Sequence, residues 1–206
     1  MDSTKSASPA QIAHPVPTPP QPTSLPPLPL HTERLSMRGL LIDDLDDVHA
    51  YQSLPDVARY LYRDPQTLER TREVLAKVSA LRFSGEGDAL VLGIQQRGST
   101  RVIGEVILKW TSGPARQAEV GYVFHPSVAG RGYATEAARA VIDIAFGHYG
   151  FHRVYARLDE ENNASAAVCR RLGMRQEARL VENDVREGVW GTELIFGVLE
   201  SEWSSR

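Results

Sequence analysis

Glu119-Val120-Gly121-Tyr122-Val123-Phe124-His125-Pro126-Ser127-Val128-Ala129-Gly130-Arg131-Gly132-Tyr133-Ala134-Thr135-Glu136-Ala137 passes from an apolar strand-like run, through two glycines, into a segment of helical period. Residues 118–124 read as a strand. From 134 to 149 the apolar residues Ala134, Ala138, Val141, Ile142, Ala145 and Tyr149 return at steps of three and four, the mark of an amphipathic helix, and Gly147 and Gly150 close it. Between strand and helix, Gly130 and Gly132 let the backbone pass close to a ligand, and the helix opens with N–H groups that have no intrahelical partner. The helix dipole and Arg131 add positive charge there, so the turn can cradle an anion such as a diphosphate largely by main chain. A Gly-x-Gly before a helix serves a tight loop equally well, so the neighbouring elements have to decide.

Upstream, Arg34-Leu35-Ser36-Met37-Arg38 alternates as a half-buried strand does, and residues 41–54 read as a helix opened by Asp43, Asp44, Asp46 and Asp47. Pro65 opens a second helical stretch carrying Leu68, Leu75, Val78 and Leu81, ended by Gly85 and Gly87. Three strand-like runs follow at 89–95, 102–110 and 118–124, separated as hairpins are. Downstream come a strand at 153–158, a helix at 165–172 ended by Gly173, and strands at 174–181 and 192–199. This order is α+β, without regular βαβ alternation and without internal repeats.

Nine of the 13 prolines lie in the first 30 residues and all 16 glycines lie after them, which divides the 206-residue chain into a Pro-rich, disordered tail over 1–30 and a folded domain over 31–206. The tail reads as a solvated spacer, with docking to a proline-binding partner as the alternative. Its prolines also deny it the apolar core of a secretory signal, and no later apolar run approaches the roughly 20 residues that cross a bilayer. A formal charge of −3 argues against a grip on nucleic acid through bulk positive charge. A single cysteine, Cys169, excludes an internal disulfide framework and a Cys-rich zinc site. His125 is a lone imidazole, so no metal site is expected. A cytoplasmic protein with no membrane and no nucleic-acid partner is the expectation.

The stretch 119–137, Glu161-Asn162-Asn163-Ala164-Ser165 continuing to Leu172-Gly173-Met174, and the opening Thr32-Glu33-Arg34-Leu35-Ser36-Met37-Arg38 together resemble the GNAT superfamily of N-acetyltransferases, most closely its ribosomal-protein N-terminal branch. The likeness covers about residues 31–200 in order and leaves the tail outside. It implies a three-layer fold with a central mixed, mostly antiparallel twisted sheet flanked by helices. It also implies transfer of an acetyl group from acetyl-CoA to a primary amine by direct attack in a ternary complex, a protein N-terminal or lysine amine being favoured over a small molecule. Two departures stand out. Ala129 occupies a place where the family has Gln or Arg, which costs one side-chain contact and spares the main-chain cradle. Cys169 occupies the place where many relatives carry a tyrosine acid.

By resemblance, Tyr122, Val123, Phe124, Gly130, Arg131, Gly132, Tyr133, Ala134, Thr135, Asn162 and Ser165 would contact acetyl-CoA. Glu119 would be the general base, with Glu105 on the preceding strand in reserve, and Ser165 would serve the leaving thiolate. The residue-level alternatives are ordinary ones: a solvated or salt-bridged Glu119, Asn162 or Asn163 as a helix cap, Ser165 bonded locally to backbone, and Cys169 as a small buried hydrophobe. Specificity is expected in the segment 54–64, with Tyr60, Leu61 and Tyr62, and in the last hairpin, where Glu182, Asp184 and Glu187 would attract a cationic substrate. Partners are then acetyl-CoA and an amine, the chain acting as a monomer or homodimer. A catalytically silent acyl-CoA sensor remains the second reading. A dinucleotide-binding oxidoreductase is a third; the missing third glycine, the insertion at 125–129 and the hairpins ahead of the turn oppose it.

Overall fold

The structure, a computed structural model, describes residues 24–186 and 188–205. In chain order the elements are β1 (Leu30–His31), β2 (Leu35–Gly39), α1 (Leu45–Gln52), α2 (Pro55–Ala58), α3 (Leu68–Val78), β3 (Ala89–Gln96), β4 (Val102–Ser112), β5 (Gln117–Phe124), α4 (Tyr133–Gly147), β6 (Arg153–Asp159), α5 (Asn163–Arg171), β7 (Arg175–Arg186), β8 (Val189–Leu199) and α6 (Glu200–Trp203). The strands form one sheet in the order β1-β2-β3-β4-β5-β6-β8-β7, antiparallel except between β5 and β6. That parallel pair is joined by a crossover through α4, as parallel neighbours require.

Alternation along the strands sorts side chains into two layers. Leu90, Leu92, Ile94, Val106, Leu108, Ala118 and Val120 are buried with Ala137, Ala138, Val141, Ile142 and Ala145 of α4, and α5 joins this layer through Ala166, Val168 and Cys169. Val91, Ile107 and Val123 point the opposite way, toward Val48 and Tyr51 of α1 and Leu75 of α3. Helices therefore cover both faces, giving the α+β three-layer arrangement that the element order and the resemblance led one to expect.

One feature of the sheet positions everything else. The β5–β6 pairing lasts only three residue pairs, Gln117↔Arg153, Ala118↔Val154 and Glu119↔Tyr155. Beyond it β5 stays with β4 as far as Gly104↔Phe124, while β6 stays with β8 as far as Asp159↔Glu193. At Gly104 a Cβ would stand 2.5 Å from the Val123 carbonyl oxygen, so glycine is what allows β4 to hold β5 this closely. The sheet splits into a wedge because each strand follows its own antiparallel partner.

Three expectations are corrected. The helix expected over 41–54 is broken: Ile42–Asp44 form a 3-10 turn, α1 follows, and Pro55 starts a separate α2 after an extended Leu54. The last hairpin has no long loop over 182–191; its strands pair through Val185↔Trp190 and Arg186↔Val189, because polar residues facing solvent do not stop a ladder. The tail boundary at residue 30 also moves. Residues 1–23 lie outside the described residues, but Leu25, Leu28 and Leu30 pack against the main core and Leu30 pairs with Met37. These leucines are partly buried despite the intervening prolines. We expect Leu28→Ala to lower unfolding free energy by about 1–2 kcal/mol, less than a fully buried leucine would cost, as chemical denaturation will show.

Candidate active site

The wedge between β5 and β6 is a cavity of about 320 Å³ lined by Glu119, Val120, Gly121, Tyr122 and Val123 on one wall and Ala156, Arg157 and Leu158 on the other. Asn162 and Ser165 of α5 close one side, and Tyr60 and Leu61 lie across the other. From Val120 onward the β6-facing edge of β5 has no strand partner, so its main-chain groups are open to a ligand. Gly121 faces open space, where a Cβ would meet nothing within 4 Å.

Strand alternation sets where the wedge side chains point. Glu119 shares the α1–α3 face with Lys109 directly opposite, and its charge acts on Arg157. Tyr122 points to the α4–α5 face, where its hydroxyl donates a long contact, 3.4 Å, to the Ser165 carbonyl oxygen. Asn162 caps α5, its Oδ1 accepting the Ser165 N–H at 3.0 Å. That cap fixes the amide beside the cavity, and its Nδ2 has no hydrogen bond to another described residue. Cys169 is buried, its thiol pushed up to about 11 by burial, which fits a packed hydrophobe at pH 7.

After β5, a 3-10 turn at Pro126–Val128 capped by His125 leads to the glycine turn. Gly130 and Gly132 take φ of 76° and 79°, the left-handed region that favours glycine. The first intrahelical bond of α4 is Glu136 N–H to Gly132 O, and no N–H from Gly130 to Thr135 is bonded to a described residue. Six consecutive free donors at a helix N-terminus make an anion cradle. The turn is clamped from below: Arg34 donates from Nη1 to Arg131 O at 2.9 Å and from Nε to Glu136 Oε2 at 2.7 Å. Thr32 Oγ1 donates to the same carboxylate, which also receives the Arg34 N–H. Burial would raise the Glu136 carboxyl, but these hydrogen bonds and the Arg34 charge hold it below the usual carboxylate range. Arg171 on α5 donates to Thr135 Oγ1 at 3.2 Å and adds a third arginine beside the turn.

Residues 34–175 match the family described as acetyltransferase (GNAT) domain. The chain belongs to the GNAT acetyltransferase family. It is 29% identical over 174 residues to YnaD of Bacillus subtilis (strain 168), an uncharacterised N-acetyltransferase, spanning 84% of this chain and 98% of that one. It is 26% identical over 169 residues to the spermidine N(1)-acetyltransferase of Escherichia coli (strain K12), spanning 82% and 88%. The crystal structure of a GNAT-family acetyltransferase from Bacillus anthracis superposes with a TM-score of 0.76 at 28% identity, covering 84% of this chain and 98% of that chain.

The protein is thus an N-acetyltransferase with acetyl-CoA as the acetyl donor. Its residues fit that donor: unbonded N–H groups for the diphosphate and an unpaired strand edge for the amide-bearing arm.

Among the residues expected from sequence, the wedge brings together Glu119, Tyr122, Val123, Asn162 and Ser165, and the cradle is formed by Gly130, Arg131, Gly132, Tyr133, Ala134 and Thr135. Phe124 does not line the wedge; it packs on the core. The Tyr133 side chain turns away as well, its hydroxyl accepting from Gln96 Nε2 at 2.6 Å and its ring stacked under Arg34. Arg34 and Arg171 were missed, although Arg34 sits inside the quoted opening motif and Glu136 inside the glycine motif; their pairing across about 100 residues left no local signal.

Glu105 is corrected as the reserve base. It is 8% exposed and lies outside the wedge, accepting from Tyr51 Oη at 2.9 Å and Gln52 Nε2 at 2.8 Å, so it ties α1 to β4. Burial raises its carboxyl against those hydrogen bonds and the Arg63 charge. A folded-state value above the unfolded one contributes stability that is full below the ordinary carboxylate pKa and is lost as pH rises through the raised value. We therefore expect Glu105→Gln to flatten the loss of stability that sets in as pH rises above the ordinary carboxylate range, measured by denaturation, with turnover retained. Arg34→Ala should weaken acetyl-CoA binding about tenfold by calorimetry, about 1.4 kcal/mol, because the cradle loses its clamp.

Proposed function

We propose that this acetyltransferase acts on a primary amine of a small cationic molecule, of the diamine or polyamine class, by direct attack in a ternary complex. The observation that carries the reading is the pair of adjoining cavities. Tyr60 and Leu61 lie across the wedge, and Arg59 and Tyr62 of the same segment line a second cleft of about 400 Å³ with Asp159, Glu160, Glu161 and Trp190. Glu160 pairs with Arg179 and Glu161 with Arg59, whereas Asp159 has no ion-pair partner among the described residues. The Tyr62 hydroxyl donates to Asp159 at 2.6 Å, and its phenol is raised by burial, by this bond and by the charges of Asp159, Glu193 and Asp184. A second ammonium held here would place the first near Glu119. The ring of Tyr62 lies on Gly191, where a Cβ would stand 2.6 Å away, so this covering segment is seated against β8. The 26% identity to a spermidine acetyltransferase supports the same class.

Of the acids expected to attract the substrate, Asp184 acts on Tyr62, Glu182 is exposed, and Glu187 lies outside the described residues. The narrow, covered wedge favours a small amine over the protein amine suggested by the ribosomal-protein branch.

Acetyl-CoA supplies the acetyl group as a thioester. The cradle at 130–135 and the Asn162 amide hold and orient it, and the open edge of β5 offers N–H groups to the carbonyl oxygen as it gains charge. Glu119 takes the ammonium proton on its carboxylate, directly or through a water, leaving a neutral amine. Glu119→Gln should lower kcat/KM by roughly 10²-fold and remove the rise in rate with pH. Thiol release measured across a panel of diamines, monoamines and peptides tests the acceptor: diamines should give the highest kcat/KM, and activity confined to peptides would overturn the reading.

A further inference from the structure

The departing sulfur needs a proton, and strand alternation puts one donor where the carboxylate base is not. Glu119 and Tyr122 are three residues apart on β5, so they project from opposite faces of the sheet into the same split. Two wedge residues carry a phenol, Tyr60 on the covering segment and Tyr122 on β5, and it is the Tyr122 phenol that lies on the stripe formed by Ser165 and Cys169 of α5. Its hydroxyl makes no short hydrogen bond. The contact to Ser165 O is 3.4 Å, and the other neighbours are the Ser165 hydroxyl and the Cys169 thiol, a weak acceptor. An O–H held this loosely can turn to a better acceptor. A serine hydroxyl is a much weaker acid than a phenol, and Cys169 is buried and does not line the wedge.

We propose that Tyr122, rather than Ser165, is the catalytic proton donor to the leaving sulfur, with the phenol from β5 reaching the face of α5 where Cys169 stands. Tyr122 gives its O–H proton to sulfur as the carbon–sulfur bond breaks and that bond's electron pair stays on sulfur. The products at this point are the CoA thiol and a phenolate. The phenolate recovers a proton that the attacking nitrogen gives up on becoming an amide, so one amine and one thioester yield one amide and one thiol. Burial raises the phenol above its ordinary value, which keeps it protonated over the working pH range and dependent on a developing anion to draw the proton off. The inference rests on acetyl-CoA binding in the wedge and is independent of which amine is the acceptor.

Tyr122→Phe removes the hydroxyl alone. With CoA bound to the full chain, the thiol is titrated by its thiolate ultraviolet absorbance, as the difference from the free protein. We expect the bound thiol to ionise below free CoA in the wild type, and the Phe variant to raise that value by about one unit. Calorimetric CoA affinity should stay within about threefold, and kcat should fall roughly 10²-fold. Ser165→Ala should leave the thiol titration unchanged. Identical titrations for wild type and Tyr122→Phe, or a shift produced by Ser165→Ala instead, would overturn the proposal. A Tyr122-dependent thiol shift in a chain that acetylates no amine would support the placement of Tyr122 while overturning the proposed acceptor.

Discussion

The parting of β5 from β6 after Glu119↔Tyr155 governs this molecule, because it converts sheet edge into binding surface without exposing the rest of the sheet. A buried strand edge with unsatisfied N–H and C=O groups is costly unless something else bonds to it. Here the groups are lined up on β5 facing a cavity, with α5 closing the α4–α5 side and the 3-10 turn at Arg59–Leu61 lying across the other. The split persists because β4 and β8 hold their neighbours over long antiparallel registers, a far larger set of hydrogen bonds than the three parallel pairs between them. A ligand with amides along its length can satisfy that edge, and the cradle at the start of α4 anchors its anionic end.

Two tethers keep the wedge in shape from outside it. On the α1–α3 face, Glu105 accepts from Tyr51 and Gln52, holding the first helix against β4. On the cradle side, Thr32 and Arg34 converge on Glu136, joining the segment before β2 to the first turn of α4. Both tethers use carboxylates inside networks of donors, and their protonation preferences differ for a physical reason. Glu105 is desolvated with neutral donors and a more distant arginine, so the neutral form gains; Glu136 is less buried and bonded directly to a guanidinium, so the charged form gains.

Much of this was legible in the sequence where the signal is local. The glycine turn, the amphipathic α4 and the α5 motif are each contained in short stretches, and the structure places Glu119, Asn162 and Ser165 around one cavity. What was hidden depends on distant pairs. Arg34 acquires its role from Glu136, and Arg171 from Thr135. Glu105 reads as a strand carboxylate until burial shows that its bonds belong to α1. The fate of 24–30 was hidden for a different reason: proline content marks extended backbone, and extended backbone can be packed or solvated, so Leu25, Leu28 and Leu30 settle the matter only by the surface they find. Alternation carried more than was taken from it, since Glu119 and Tyr122 must face opposite layers in any strand.

The formal charge of −3 conceals a division along the binding surface. Arg34, Arg131 and Arg171 gather with the free N–H groups of α4 at the cradle, and Asp159, Asp184 and Glu119 lie on the side where the proposed reading seats the amine. For a donor rich in phosphate and an acceptor carrying ammonium groups, each end attracts the partner that the other repels. The same division bears on release. If the acceptor is a diamine as proposed, acetylation turns one ammonium into a neutral amide with no charge for Glu119 to attract, whereas a remaining distal ammonium would keep its attraction to Asp159. Under the proposed reading, product is thus held by one carboxylate fewer than substrate, and the fall in affinity grows out of the reaction itself without any movement of the covering segment.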